Sequence, residues 1–227
     1  MKNFLVTGLA LAMAFAAAVS TSCVRNAKGN QECTECTECT ECTSNVSSVL
    51  VVVDVQRDFF SPEGSLYVSG SEELPAKIAE AAKAYDAVIF TLDWHPGNHC
   101  SFAAEGGIWP SHCVAYTQGA GLADEFASIL AGGDDKVQLF LKGKDQDKEQ
   151  YGAFEDLAEG RIMSWLKSAD KVAVCGIAGD YCVKESTANI LKVVPASKVT
   201  ILKDCIRSID GGAALDQFIT ENSLNVE

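Results

Sequence analysis

Positive charge is what this sequence has least of. Its 227 residues carry 18 Lys and Arg against 31 Asp and Glu, a net charge of −13, with no basic cluster. Nucleic acids and anionic membrane surfaces are held by such clusters, so both are excluded as partners and an uncharged small molecule is the natural ligand. Length is limited as well. At 48% hydrophobic and 22% charged residues, the chain fills one well-packed domain and leaves little for a second. Long apolar runs are missing except at the start, where Leu9 to Val19 is too short for a membrane span. Histidine is scarce too, and His95, His99 and His112 all fall within residues 95–112.

The N-terminus has the layout of a signal peptide over residues 1–22: Lys2, a short apolar core, then small residues around Ala16 to Ala18 and Ser20 to Ser22. Cys23 follows directly and offers a lipid-attachment point, the alternative being ordinary cleavage between Ala18 and Ser22. Export to the cell envelope, lipid-anchored or free, is the expectation. Residues 23–48 show no hydrophobic periodicity and read as a disordered linker. In their middle stand four Glu-Cys-Thr triplets with Cys33, Cys36, Cys39 and Cys42. A structural zinc site needs two cysteine pairs closed by a folded loop, which this continuous repeat lacks, so composition favours a solvated tether over a metal cluster.

From Val49 onward, apolar β-branched runs alternate with helical patterns. Strands are expected at 49–54, 87–93, 136–142, 171–177 and 198–204, and helices at 71–85, 122–130, 155–168, 181–193 and 211–221. Strands apolar on both faces and separated by helices predict a three-layer α/β/α domain over 49–227 with a mostly parallel sheet. Ligands in such sheets sit at the carboxyl ends of the strands. Those ends carry Asp54, Asp93, Lys142 and the turn Asp180-Tyr181-Cys182.

Asp93 and His95 lie two residues apart in an extended segment and so point the same way. With His112 they make two imidazoles and a carboxylate, a donor set suited to a divalent ion with coordination positions left open. Zn, Fe and Mn all fit it. Cys182 opens a helix, where the dipole and free N–H groups are expected to lower the thiol pKa. Asp54 is placed to act as a base and Lys142 to supply a cation, which completes a Cys-Asp-Lys set.

The stretches VVVDVQRDFFSPEGSLYVSG (51–70), TLDWHPGNHCSF (91–102), WPSHCV (109–114), FLKG (140–143) and GIAGDYCV (176–183) resemble, in order and spacing, the nicotinamidase/pyrazinamidase branch of the isochorismatase-like cysteine hydrolases. The resemblance covers residues 49–227 and none of the first 48. It implies a metal-dependent amidohydrolase that converts nicotinamide, and pyrazinamide, to the acid and ammonia through a thioester. Cys182 would be the nucleophile, Asp54 the base and then acid, and Lys142 the cation between them. It further implies Asp93, His95 and His112 as metal ligands, with His99 a fourth ligand in some members and a residue supporting the ligands in others. Phe59, Trp109, Tyr151 and Ile177 match positions at the ring pocket. The Ile177-Ala178 bond matches one that is cis in the family, with the N–H groups of Ala178 and Cys182 forming the oxyanion hole. Arg57, where Asn is common, and the charged loop GKDQDKEQYGAF (143–154) depart from the pattern. Cys100 and Cys113 read as packing residues, Cys175 and Cys205 as core.

Two rival readings remain: a hydrolase of another small amide, and an envelope metal-binding or thiol-redox protein in which the triplets act. Deleting residues 24–47 separates the second from the enzyme reading. Amidase activity is expected to survive the deletion at near the full-length rate, and its loss would move the function into the repeat.

Overall fold

The computed structural model describes residues 46–133 and 135–227, together with the backbone of two short segments nearer the start. The chain divides into two units, Met1–Cys42 and Thr43–Glu227, each described by itself. In the first, β1 (Val24–Arg25) pairs antiparallel with β2 (Gln31–Glu32), Val24 facing Glu32. The segment expected to be a signal peptide, the candidate lipid-attachment residue Cys23 and the triplet cysteines lie outside the described residues.

The second unit is built on a six-stranded sheet ordered β5-β4-β3-β6-β7-β8. Its strands are β3 (Ser48–Val53), β4 (Ala87–Asp93), β5 (Val137–Lys142), β6 (Lys171–Ile177), β7 (Val199–Arg207) and β8 (Asn225–Val226). Every neighbouring pair is parallel. β4 is buried at all of its positions, and β3 and β6 at all but their first. The continuous Val, Ile, Leu and Phe runs that marked these strands are therefore covered on both faces, as the parallel reading required.

The helices are α1 (Arg57–Phe60), α2 (Leu74–Ala81), α3 (Ala127–Leu130), α4 (Arg161–Ser168), α5 (Lys184–Ile190) and α6 (Ala213–Glu221). Among the described residues, no helix is long and apolar enough to cross a membrane. The chain steps from β3 outward through β4 to β5, then returns to lay β6 on the other side of β3 and continues to β7 and β8. With right-handed crossovers, the rule for such connections, the two directions would put α2 and α3 on one face of the sheet and α4, α5 and α6 on the other. The direction reverses between β3 and β6, so the crevice at their carboxyl ends is the switch point where a ligand fits.

Boundaries moved where the local chemistry demanded it. The helix expected at 71–85 begins only at Leu74, with Pro75 in its first turn where a missing N–H costs nothing. The 155–168 helix is shortened to α4, which starts after Gly160. The 181–193 helix opens as a single π turn, Gly179–Val183, before α5. β7 runs longer than expected and absorbs a register shift opposite Val174–Gly176, and two-residue β8 was too short to leave a periodic signal. At the switch point a Cβ on Gly176, whose φ is +125, would fall 2.0 Å from the Val53 carbonyl oxygen, so glycine alone lets β6 pair with β3 there.

One core contact exposes the packing to test. Phe90 of β4 is fully buried and meets Phe126 at a centroid distance of 5.0 Å. Phe90→Ala is expected to cost about 3–5 kcal/mol through lost burial and the cavity left behind, read as a lower urea midpoint at unchanged slope. A loss under about 1 kcal/mol would mean that the sheet does not depend on this layer.

Candidate active site

Three strand ends converge at the switch point. Asp54 follows β3 in a left-handed conformation (φ +49), its N–H donating to the Thr91 carbonyl at 3.1 Å. Lys142 closes β5 opposite Asp93, the last residue of β4. Cys182 sits in the π turn that follows β6. All four side chains are buried.

Lys142 is the hub. Its Nζ donates to Asp93 Oδ1, lies 2.9 Å from Asp54 Oδ2, and reaches Cys182 Sγ at 3.5 Å and the Gln150 carbonyl at 3.4 Å. Asp54 Oδ1 accepts from the Thr91 hydroxyl at 2.6 Å. Asp54 Oδ2 is close to the ammonium but accepts no well-directed hydrogen bond, the one buried side-chain polar atom of which this is true among the described residues. A carboxylate oxygen of Asp54, one of Asp93 and the Cys182 sulfur all lie within 4.8 Å of one another. An acceptor with spare capacity therefore faces the thiol.

The charges settle as follows. Burial pushes the Lys142 ammonium toward neutrality, but the Asp54 and Asp93 carboxylates outweigh it and hold its pKa well above the ordinary value. Burial would also raise Asp93, yet the Lys142 and His95 partners hold it far below the usual carboxylate range. For Asp54 burial prevails over Lys142, and its pKa is raised. The Cys182 thiol is pushed well above its ordinary value by burial, which outweighs Lys142, with Asp54 and Asp93 adding to the rise. That corrects the expectation of a lowered thiol pKa: the helix-end effect is outmatched by desolvation and two carboxylates. The resting pair is a neutral thiol beside a base of raised proton affinity.

Next to this group stand Asp93, His95 and His112, whose donor atoms also lie within 4.8 Å of one another. His95 Nε2 is 3.6 Å and His112 Nε2 4.0 Å from Asp93 Oδ2. Each ring's Nδ1 meets a backbone carbonyl, Gly143 at 2.8 Å for His95 and Pro110 at 2.7 Å for His112. Those contacts assign a proton to Nδ1 of each ring and aim its Nε2 at the carboxylate, where a metal ion would take the place of the proton that Asp93 favours on His95. The donor set fits a divalent metal ion. Gly143 is required here, because a Cβ on it would stand 2.4 Å from the His95 ring. Of the two roles the family offers His99, its contacts match the one behind the ligands. Its Nδ1 meets Ser101 Oγ at 2.7 Å and its Nε2 meets the Lys148 carbonyl at 3.1 Å, and its ring packs on His95 at 4.1 Å. Both nitrogens are committed elsewhere.

A cavity beside Cys182 is lined by the expected Phe59, Trp109, Tyr151 and Ala178. Trp109 Nε1–H donates to the Tyr151 hydroxyl at 3.1 Å, which fixes both rings. Ile177 differs from expectation: it is fully buried in β6 and does not line the cavity, although its bond to Ala178 is cis. Asp93, His95 and His112 also line it, and Leu66, Val68, Glu149, Tyr181 and Ile209 complete it. Sequence reasoning named Tyr181 only as part of the turn at Cys182 and did not single out the other four. Tyr181 was the accessible one, since it adjoins Cys182 and its ring meets both Trp109 and Tyr151 at 5.2 Å. Asp180 accepts the N–H groups of Ile209 and Asp210, both at 3.0 Å, and so ties the nucleophile's turn to the loop bearing Ile209. Arg57 lies apart from the cavity and pairs with Asp124 at 2.7 Å. Cys113 and Cys175 are buried, Cys100 and Cys205 half-buried, and all four are free thiols.

Residues 48–219 match the model of the isochorismatase domain family. The chain belongs to this family. Among its relatives is the nicotinamidase of Saccharomyces cerevisiae, 32% identical over 193 residues that make up 70% of this chain and 88% of the relative. The crystal structure of the pyrazinamidase of Pyrococcus horikoshii in complex with zinc superposes with a TM-score of 0.67 at 31% identity, covering 80% of this chain and 98% of that one. PnC1 from L. infantum in complex with nicotinate superposes with a TM-score of 0.70 at 29% identity, covering 82% and 94%.

Lys142→Met leaves the Asp54 and Asp93 carboxylates buried and facing each other without a cation. We expect a loss of about 3–5 kcal/mol in chemical denaturation. A variant within about 1 kcal/mol of the parent would show that the ammonium does not hold this centre together.

Proposed function

We propose that this chain hydrolyses nicotinamide, and pyrazinamide, to the acid and ammonia through a thioester on Cys182. The observation that carries this is the Lys142 ammonium within 3.5 Å of the sulfur and 2.9 Å of Asp54, beside the His-His-Asp donor set and an aromatic-walled cavity. The family membership and the nicotinamidase and pyrazinamidase relatives support the same substrate class.

Phe59, Trp109 and Tyr151 would clamp a flat heteroaromatic ring and set its carboxamide against Cys182. A divalent ion held by Asp93, His95 and His112 would act as a Lewis acid toward a ring nitrogen; zinc is the expected ion, and iron or manganese fits the same donors. Asp54 takes the thiol proton, and the sulfur attacks the carboxamide carbon. Lys142 offsets the negative charge that then passes between carboxylate and sulfur. The N–H groups of Ala178 and Cys182, both lining the cavity, receive the developing oxyanion. Asp54 returns the proton to the departing nitrogen, so ammonia leaves and the acyl–sulfur bond remains. Water, deprotonated by Asp54, then cleaves the thioester, releasing the acid and restoring the thiol.

The layout of residues 1–22 supports export, with either lipid attachment at Cys23 or ordinary cleavage between Ala18 and Ser22. Mass spectrometry of the mature protein is expected to show an N-terminus at or before Cys23, and a chain still beginning at Met1 would overturn this placement.

Purified enzyme is expected to release ammonia from nicotinamide and pyrazinamide in preference to N-carbamoyl compounds. Cys182→Ala should abolish release while keeping its metal; near-normal turnover in that variant would remove Cys182 from the nucleophile's role. Because Asp54 must be ionised to act and binds its proton more tightly than a free Asp, activity is lost as pH falls through its raised pKa. With zinc in excess, the acid limb of kcat/KM is therefore expected above 3.8. A limb at or below that value would assign the base to another group.

A further inference from the structure

Gln56 touches neither the ring cavity nor the thiol, yet it is fully buried and every polar group of its carboxamide is used. Oε1 accepts the Asp93 N–H at 2.8 Å, and Nε2 donates back to the Asp93 carbonyl at 2.8 Å. The second Nε2 hydrogen reaches the Ala120 carbonyl at 2.9 Å. The three donors of the metal site come from two segments: Asp93 and His95 from the end of β4, His112 from the loop running on to Leu122. Gln56 hydrogen-bonds to both. Its neighbours reinforce the second contact, since the N–H groups of Arg57 and Asp58 donate to Gly121 and Gly119, and Asp58 Oδ2 accepts the Cys113 N–H at 2.7 Å.

We propose that Gln56 is a positioning residue for the metal, holding the Asp93 peptide and the His112 loop at the spacing that a divalent ion requires. The inference rests on the reading of Asp93, His95 and His112 as the metal site. The role needs two N–H donors and one acceptor on a side chain of this length, which glutamine alone supplies. Glutamate would set an oxygen against the Asp93 and Ala120 carbonyls, methionine would leave all three partners unsatisfied, and asparagine is one methylene short.

The test is zinc affinity of the whole enzyme, by competition with a chromophoric chelator, alongside thermal unfolding of the metal-free protein. Gln56→Glu and Gln56→Met are expected to weaken zinc binding about 10–100-fold, the range seen when a partner of a metal ligand is removed, with saturating zinc restoring turnover. Lower apo stability with wild-type zinc affinity would reduce Gln56 to a structural residue and overturn the proposal. Should both variants fail to fold, Gln56→Asn carries the same measurement with the same two outcomes. Wild-type enzyme that binds no zinc, iron or manganese would refute the metal site itself, whereas equal affinity in parent and variants would refute only the part given to Gln56.

Discussion

A single ammonium group holds the catalytic half and the metal half of this site together. Lys142 Nζ contacts Asp54, Asp93 and Cys182, so one buried cation faces the proposed base, a proposed metal ligand and the proposed nucleophile. Removing three ionisable groups from water is costly, and the arrangement persists because each carboxylate offsets the desolvation of the same ammonium. The division of roles follows from small differences in environment. Asp93 also receives His95 and is driven to the ionised form, whereas Asp54, with Thr91 and Lys142 alone, keeps a raised proton affinity. Two carboxylates on one lysine thus separate into a permanent anion suited to a metal and a titrating base suited to a thiol.

That convergence is a consequence of register. In a parallel sheet all strands end on the same side, and here the ladder pairs Asp93 with Lys142, and Val53 with Thr91 on one flank and Gly176 on the other. Asp54, Thr91, Asp93, Lys142 and the turn after β6 therefore arrive at one level without help from any long loop. A slip of one residue in β5 would turn Lys142 to the opposite face. The long segment between β4 and β5 adds only what the strands do not carry, His112 and Trp109, and short contacts from Gln56 and Asp58 anchor it back to the strand bearing the base.

The sheet was legible in the sequence because fully buried parallel strands write uninterrupted β-branched runs, and five of its six strands were placed within a few residues. β8 was not, since two residues carry no period. The reacting groups were legible because strand-end charges in an apolar context have few other uses: Asp54, Asp93 and Lys142 lie where the architecture put them. What failed was whatever depends on a neighbour distant in sequence. The thiol pKa of Cys182 is governed by its burial more than by the helix it opens. Which of its two family roles His99 takes was open for the same reason, since its two nitrogens answer to Ser101 and Lys148, the second far along the chain. Ile177 sits one residue from the cavity wall on the buried side of the strand.

The four lining residues that escaped notice, Leu66, Val68, Glu149 and Ile209, share one property: each lies on a loop far in sequence from Cys182, where no period constrains the residue. Loops positioned by a rigid scaffold are where one family varies its substrates. Here the scaffold fixes the acyl-transfer chemistry through Asp54, Lys142 and Cys182, while Leu66, Val68, Glu149 and Ile209 shape the remaining wall. Leu66, Val68 and Ile209 are apolar and Glu149 is an exposed carboxylate, so this part of the wall gives an uncharged ring apolar contact and sets one acidic side chain beside it.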